Sequence, residues 1–274
     1  MLKRKWLLFA LLMMNVAAAR GQEPGQKINW TDATRDVYVA GQVDRTIQVF
    51  YAETPKRMAL VMPSLDRVIE LDLDANMIGT VPKAAWQIAA DRTTATSDAR
   101  AVADISGPLT AVDETTYSFD FNGKAFTVMR HKGLVGDLSE AGIWNDVPIW
   151  RTLMNKYQPD AQAVAALKKN KPDATIIIAA GTWCGDSKHY VPQLLRALHE
   201  ADNRHLHVKL VGIANKFVGP ADFVKQRDIK KVPTIIVERN GHEIGRIIET
   251  PVAKTMEEDL AAILNGKPNL RKDQ

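Results

Sequence analysis

The feature that most constrains the fold is a short apolar run that leads directly into a helical pattern. Residues 175–180, TIIIAA, are apolar at successive positions, which is typical of a strand buried on both faces. The segment CGDSKHYVPQLLRALHEA begins after three intervening residues, and its Val191, Leu194, Leu195 and Leu198 lie along one stripe of a helix. Because such a strand needs helices packed on it, this part of the chain is predicted to be α/β.

The same alternation of helix and strand extends over residues 150–266. A helix, DAQAVAALKKN, precedes the buried strand, and the strand LHVKLVGIA, the helix ADFVKQRDI and the hairpin PTIIVERNGHEIGRIIET follow it. The last helix is predicted to begin at Thr255, which can form a capping box with Glu258, and to end at Gly266. The order predicts a mixed sheet flanked by helices.

Residues 27–140 are predicted to form a mainly antiparallel β-domain, whose function the sequence does not indicate. The clearest hairpin is YSFDFNGKAFTVM, residues 117–129, in which Asn122-Gly123 suits a type I′ turn. That register places Phe119 opposite Phe126 on one face. The segment TTATSDARAVADISGP is polar and is predicted to be rich in loops.

The first residues have the layout of a secretory signal peptide. Lys3–Lys5 is basic, Trp6–Val16 is apolar but short for a membrane span, and Ala17–Ala19 provides small residues for cleavage. We therefore predict a signal peptide over residues 1–19 and a periplasmic or secreted mature protein. An uncleaved N-terminal anchor is the alternative.

The predicted leader also accounts for most of the positive charge. The whole chain carries a formal net charge of +4, and removal of Lys3, Arg4 and Lys5 with the leader leaves +1. The mature protein has no basic stripe to neutralise phosphates, so no nucleic-acid partner is expected.

Cys184 is the only cysteine of the chain. Export would place it in an oxidising compartment, where a lone cysteine is a reactive thiol, an intermolecular linker or a buried inert residue. Its position between a buried strand and a helix favours the first of these. The first-turn N–H groups of a helix stabilise an anion, and the thiolate is the reactive form of cysteine.

These residues resemble the thioredoxin family. The segment TWCGDS before a helix is similar to the W-C-x-x-C active site, with Ser187 in place of the second cysteine, and Pro192 matches the proline that kinks the thioredoxin helix. IKKVPTIIV resembles the stretch with the cis-proline, here Pro233, and NGHEIGRIIE resembles the closing hairpin. The resemblance covers residues 150–266 and is closest to exported proteins with a GTWCxDS motif.

The resemblance implies a thioredoxin-like fold and nominates the site residues. Cys184 and Ser187 are the candidate catalytic residues. No cofactor and no metal ligands are expected. The candidate substrate-binding residues are Trp183, Gly185, Asp186, Val232, Pro233 and Thr234.

Two departures from the family pattern limit the chemistry. The second cysteine is absent, and Ile178 stands where thioredoxins carry a buried acid. Cys184 can therefore form a mixed disulfide with a partner but cannot close an internal one, so release needs an external thiol. The predicted activity is a monothiol thiol–disulfide oxidoreductase or isomerase. Its partners would be proteins with a disulfide or a sulfenic acid, or a thiol reductant.

A binding function is the competing interpretation. In it the groove around Trp183, Val232 and Pro233 holds an extended peptide, and the sulfur has no chemical role. The chain would then be a redox-inactive peptide-binding or chaperone-like module.

Overall fold

The structure is a computed structural model that describes residues 27–99 and 103–267. The predicted signal peptide, residues 1–19, lies outside the described residues and stays a sequence-based prediction. Within the two described ranges, no helix is both long enough and apolar enough to cross a membrane.

Two antiparallel sheets form the N-terminal region. Their strands are β1 (Lys27–Asp32), β2 (Arg35–Val39), β3 (Gln42–Val43), β4 (Gln48–Ala52), β5 (Arg57–Val61), β6 (Arg67–Asp72), β7 (Met77–Pro82), β8 (Trp86–Ile88), β9 (Thr94–Asp98), β10 (Asp104–Pro108), β11 (Thr110–Ala111), β12 (Tyr117–Phe121) and β13 (Lys124–Arg130). The larger sheet runs β10-β7-β6-β5-β4-β1-β9-β8, and the smaller runs β11-β12-β13-β2-β3. The predicted antiparallel β-structure of this region is confirmed.

The hairpin of β12 and β13 has the predicted register. Phe119 pairs with Phe126, and their rings stack with centroids 5.1 Å apart. Asn122 and Gly123 both have positive φ, 50° and 71°, as a type I′ turn requires. The two phenylalanines are buried in an apolar cluster together with residues of β4 to β7.

The prediction that residues 93–108 are rich in loops is wrong, because β9 and β10 lie in this segment. In β9 the small residues Ala95 and Ser97 are buried, and Ser97 Oγ accepts a hydrogen bond of 2.9 Å from Trp30 Nε1. Trp30 also lies 4.6 Å from Trp86 between ring centroids. The buried face of β9 consists of small side chains because the large indoles of Trp30 and Trp86 on the neighbouring strands fill the space beside it. The polar composition of the segment therefore did not indicate a strand.

The C-terminal region contains one mixed sheet flanked by helices. Its elements are β14 (Gly136–Leu138), α1 (Glu140–Asp146), α2 (Ile149–Lys156), α3 (Ala161–Lys169), β15 (Ala174–Ala180), α4 (Gly185–Ala201), β16 (Leu206–Gly212), α5 (Ala221–Gln226), β17 (Thr234–Arg239), β18 (His242–Ile248) and α6 (Met256–Leu264). The sheet order is β14-β16-β15-β17-β18, with β15 and β16 parallel and the other neighbours antiparallel. The predicted mixed sheet with helices is therefore present.

The central strand β15 is buried on both faces, as predicted. Ile176 and Ile178 pack in one apolar cluster, whereas Ile177 and Ala179 pack in another on the opposite face. The apolar stripe of α4 is buried in the same cluster as Ile176. β14, which lies inside the range 27–140, pairs with β16 and so belongs to this sheet.

We expect the capping box of α6 to contribute measurably to stability. Thr255 Oγ1 accepts from the Glu258 N–H, and the Glu258 carboxylate accepts from the Thr255 N–H at 3.2 Å. Thr255→Ala should lower the free energy of unfolding by about 1 kcal/mol, because a first-turn N–H loses its acceptor. Urea denaturation measures the change. Thr255→Ser keeps the oxygen and is the matched control; an equal loss in both variants would contradict a role for the cap.

Candidate functional site

Cys184 lies where the buried strand β15 passes into helix α4. It is the N-cap residue of α4, with extended backbone angles of φ −92° and ψ 133°. The thiol is half-buried and makes no disulfide. The first turn of a 17-residue helix therefore begins directly after the sulfur-bearing residue. The Cys184 side chain makes no capping hydrogen bond to the N–H groups of that turn.

The thiol lies against the start of the neighbouring strand β17. Cys184 Sγ donates to the Val232 carbonyl oxygen at 3.2 Å, and the Val232–Pro233 peptide bond is cis. Thr234 follows as the first residue of β17; it is buried, and its hydroxyl donates to the Lys231 carbonyl at 2.7 Å. The fold thus brings together Cys184 and three of the predicted substrate-binding residues.

Trp183 forms one wall of the site. Its Nε1 donates to the Ile213 carbonyl at 2.8 Å, and its ring meets the edge of Phe217 at 6.4 Å between centroids. Gly133 approaches the indole so closely that a Cβ there would lie 2.5 Å from Trp183 Cδ1, and its φ is +87°. Only glycine suits that position, which fixes the indole against the chain entering from the N-terminal region.

Ser187, the predicted second catalytic residue, is fully buried. Its Oγ accepts a hydrogen bond from the Gly181 N–H at 3.2 Å, so it holds the turn that precedes Cys184. Gly185 and Asp186 lie exposed in the first turn of α4, where the Asp186 carboxylate suits the positive end of the helix dipole. Their predicted contact with substrate stays a prediction.

Lys188, one turn along α4 from Cys184, is tied to the N-terminal region. Its ammonium group donates to Asp32 Oδ2 at 3.0 Å and to the Asp32 backbone carbonyl at 3.2 Å. Asp32 is the last residue of β1 and its side chain is only 7% exposed. This partly buried ion pair joins the two regions beside the thiol site.

A buried histidine behind the thiol site was missed in the sequence. His131 directly follows β13 and is 2% exposed. Its Nδ1 lies 2.7 Å from Asp36 Oδ1, and its Nε2 lies 2.9 Å from both Asp146 Oδ2 and Thr182 Oγ1. Thr182 is the threonine of the GTWC motif. A lone histidine at a strand end gives no signal of such partners, because they come from distant parts of the chain.

Arg45 completes the buried cluster. Its guanidinium contacts Asp36 Oδ1 and lies 2.9 Å from Asp146 Oδ1. Two carboxylates therefore face two cationic groups when His131 is protonated. We call these four residues, Asp36, Arg45, His131 and Asp146, the charged cluster.

The charged cluster holds His131 in its protonated form. Burial alone would lower the pKa of His131, but hydrogen bonds to Asp146 and Asp36 outweigh burial and raise the pKa to about 9. Burial would likewise raise the pKa of Asp36, yet the hydrogen bond and charge of His131, with Arg45, hold it below the usual value. An imidazolium is therefore the species present at neutral pH.

A cleft of about 400 Å³ opens beside the charged cluster. Arg45, His131 and Asp146 line it together with apolar side chains such as Ile47 and Val147. Cys184 does not line this cleft, so the cleft is not part of the thiol site. Across the described ranges, no group of three or more His, Cys, Asp or Glu side chains is arranged to hold a metal ion.

We expect the charged cluster to make stability depend on alkaline pH. The pKa of His131 rises from 6.5 to about 9 on folding, so its contribution is complete below about pH 6.5 and is lost as pH rises through about 9. The loss should approach about 3 kcal/mol, or somewhat less if the cluster relaxes. Urea denaturation across this range measures it. His131→Asn should flatten the profile and the exposed His242→Asn should not; a steep profile in His131→Asn would contradict this assignment.

Comparison with known proteins supports one family. The thioredoxin family model matches residues 146–261. No curated protein sequence matches the chain. Similar solved structures include a protein of unknown function from Pseudomonas aeruginosa, 16% identical, covering 47% of this chain and 77% of that one with a TM-score of 0.32. An HIV epitope scaffold is 15% identical and covers 47% and 78%, also with a TM-score of 0.32.

Both TM-scores are too low to carry an argument about fold or function. The family match rests instead on the stretch that contains β15, Cys184, α4 and the Val232–Pro233 bond. By that match, residues 146–261 of this chain are similar to a thioredoxin-like family.

Proposed function

We propose that this chain is an exported thioredoxin-like protein that carries out monothiol thiol–disulfide exchange through Cys184. The family supports a thiol or redox role, and the monothiol character follows from the single cysteine. The observation that carries the proposal is the contact of 3.2 Å between Cys184 Sγ and the Val232 carbonyl. A half-buried thiol at a helix N-cap thus lies beside a backbone segment that can pair with an extended partner.

The first step forms a mixed disulfide. The Cys184 thiolate attacks one sulfur of a partner disulfide; the partner S–S bond breaks, a Cys184–partner bond forms, and the other partner sulfur leaves as a thiolate. Cys184 gives its thiol proton to water before it attacks, and the leaving thiolate takes a proton from water, so the proton count is unchanged. One disulfide bond has been exchanged for another, so this step needs no further oxidant or reductant.

Release of the partner requires a thiol from outside the chain. Ser187 cannot supply it, since its hydroxyl does not reduce a disulfide. A second thiolate of the same partner gives an isomerised disulfide and regenerates Cys184. A thiolate of a separate reductant gives the same Cys184 thiolate and leaves the partner joined to that reductant. The fully buried Ile178 offers no acid for proton transfer, which fits a site without an internal second step.

The exported location rests on the sequence alone. The basic, apolar and small-residue segments of residues 1–19 are the support for it, together with a net charge that falls to +1 without them. An oxidising compartment supplies the disulfides on which Cys184 would act.

Peptide binding without thiol chemistry is the second candidate. Its support is the exposed apolar surface next to the site: Phe217, which touches Trp183, is 36% exposed and Val218 is 59% exposed. Such side chains can hold an extended apolar peptide whether or not the sulfur reacts. Loss of partner binding in Cys184→Ser separates the two candidates, because only exchange requires the sulfur.

We expect Cys184 to trap partners as mixed disulfides in the compartment where the protein lives. Acid quenching and alkylation, followed by non-reducing electrophoresis, should show adducts that a reductant releases. Every such adduct must involve Cys184, because the chain has no other cysteine. Cys184→Ser should give none. Native protein that forms no adduct, while the unfolded chain reacts with the same disulfides, would contradict the proposal.

We also expect Ser187→Cys to create a working dithiol. Position 187 is three residues after Cys184, so the two side chains share a helix face and can close a disulfide. Mild oxidation should remove both free thiols, and a disulfide-reduction assay should show turnover that the wild type lacks. Stability should fall by about 1 kcal/mol, because the buried Gly181 N–H exchanges a hydroxyl acceptor for a sulfur.

Asp186→Cys is the matched control for this variant. It places the new thiol on the exposed first turn, only two residues from Cys184, where the side chains diverge. Both thiols should stay titratable after the same oxidation. Equal disulfide formation in the two variants would show that position 187 is not specially placed.

A further inference from the structure

The charged cluster contacts Thr182, which lies in the turn before Cys184, through His131. We infer that His131 is a positioning residue: held by Asp36 of the N-terminal region, it fixes Thr182 and thereby the geometry of the Cys184 turn. The part of this inference that concerns the reactivity of Cys184 rests on the proposed function. It gives the N-terminal β-rich region a defined role, namely to complete the support of a site in the C-terminal region.

Thr182 stands at the centre of three hydrogen bonds. Its Oγ1 donates to Asp146 Oδ2 at 3.3 Å, accepts from the Leu134 N–H at 3.1 Å and lies 2.9 Å from His131 Nε2. A hydroxyl has one donor and two acceptor sites, so all three contacts are satisfied together only if His131 Nε2 carries a proton. Since Nδ1 faces the Asp36 carboxylate, both ring nitrogens donate and the ring is an imidazolium.

Three parts of the chain supply the charged groups around the His131 ring. Asp36 comes from β2, Arg45 from the segment between β3 and β4, and Asp146 from the end of α1. With His131 protonated, the two negative and two positive charges balance. Removing one member leaves a buried charge without compensation, so the remaining groups must rearrange or take up water. Thr182, fully buried beside them, would move with them.

The backbone transmits this position to the sulfur. The Cys184 N–H donates to the Gly181 carbonyl at 2.9 Å, which closes a tight turn with Thr182 in its middle. Ser187 holds the same turn from the other side through the Gly181 N–H. A displacement of Thr182 therefore changes both the N-cap geometry of Cys184 and its contact with Val232.

Hydrogen–deuterium exchange of the turn tests the positioning directly, without reference to thiol chemistry. His131→Gln and Thr182→Val should each speed amide exchange in residues 181–187 by about tenfold at neutral pH, because a hydrogen bond to a charged group shifts a local opening equilibrium by at least that factor. Thr182→Ser keeps the hydroxyl and should exchange like the wild type. Thr182→Val also serves if His131→Gln does not fold, since it leaves every charge in place.

Tyr157→Phe is the control for a general loss of stability. It removes a hydrogen bond of 2.8 Å to the buried Glu257, in the same region but outside the charged cluster. Exchange in residues 181–187 should not change in this variant. If His131→Gln and Thr182→Val leave exchange there unchanged, or if Tyr157→Phe raises it equally, the inference is overturned.

A second measurement links the turn to exchange chemistry. The single thiol allows the rate of mixed-disulfide formation with an aromatic disulfide reagent to be followed at Cys184 alone. His131→Gln and Thr182→Val should slow it about tenfold, and the double variant should be no slower than either, because both act through one contact. If the rate reductions of the two single variants multiply in the double variant, the two residues do not act through one contact.

These experiments distinguish a failure of the proposed function from a failure of the inference about His131. If the wild-type thiol forms no mixed disulfide in the native state, the proposed function is wrong. Amide exchange then still shows whether His131 positions the turn. If the wild-type thiol reacts, and His131→Gln and Thr182→Val change neither amide exchange nor the rate of mixed-disulfide formation, the inference is wrong and the proposed function is unaffected.

Discussion

The burial of β15 on both faces is the constraint on which the rest of this structure depends. Ile176 and Ile178 face one apolar cluster and Ile177 faces the other, so helices must cover the strand. α4 does so with its own apolar stripe and has to begin directly beyond the strand. Cys184 therefore comes to lie at a helix N-terminus beyond the C-terminal end of the central strand, half-buried and next to the start of β17.

Electrostatic contacts then tie this end of the central strand to the β-rich region. The charged cluster and the ion pair between Lys188 and Asp32 meet the turn and the helix from the N-terminal side. Ion pairs with this degree of burial are costly to break, because each would leave a charge without a partner. The thiol site is thus built on one region and supported by another.

Sequence patterns predicted the regular elements where the side-chain period was strong. The stripe of α4, the hairpin at Asn122-Gly123 and the capping box at Thr255 are all present, because each depends on residues close in the chain. The prediction failed at β9, where small buried residues such as Ser97 lie opposite large indoles. Polar composition cannot reveal a packing partner that lies 67 residues away.

By itself the sequence determined the number of thiols, the junction of strand and helix that carries Cys184, and the absence of a second cysteine at position 187. These are local facts, and they limit what the proposed exchange chemistry can be. Only the tertiary structure decided that Ser187 holds the Gly181 N–H and that His131 joins Asp36, 95 residues away, to Thr182, 51 residues away. Charge compensation in a buried site depends on distance in space, and no spacing along the chain encodes it.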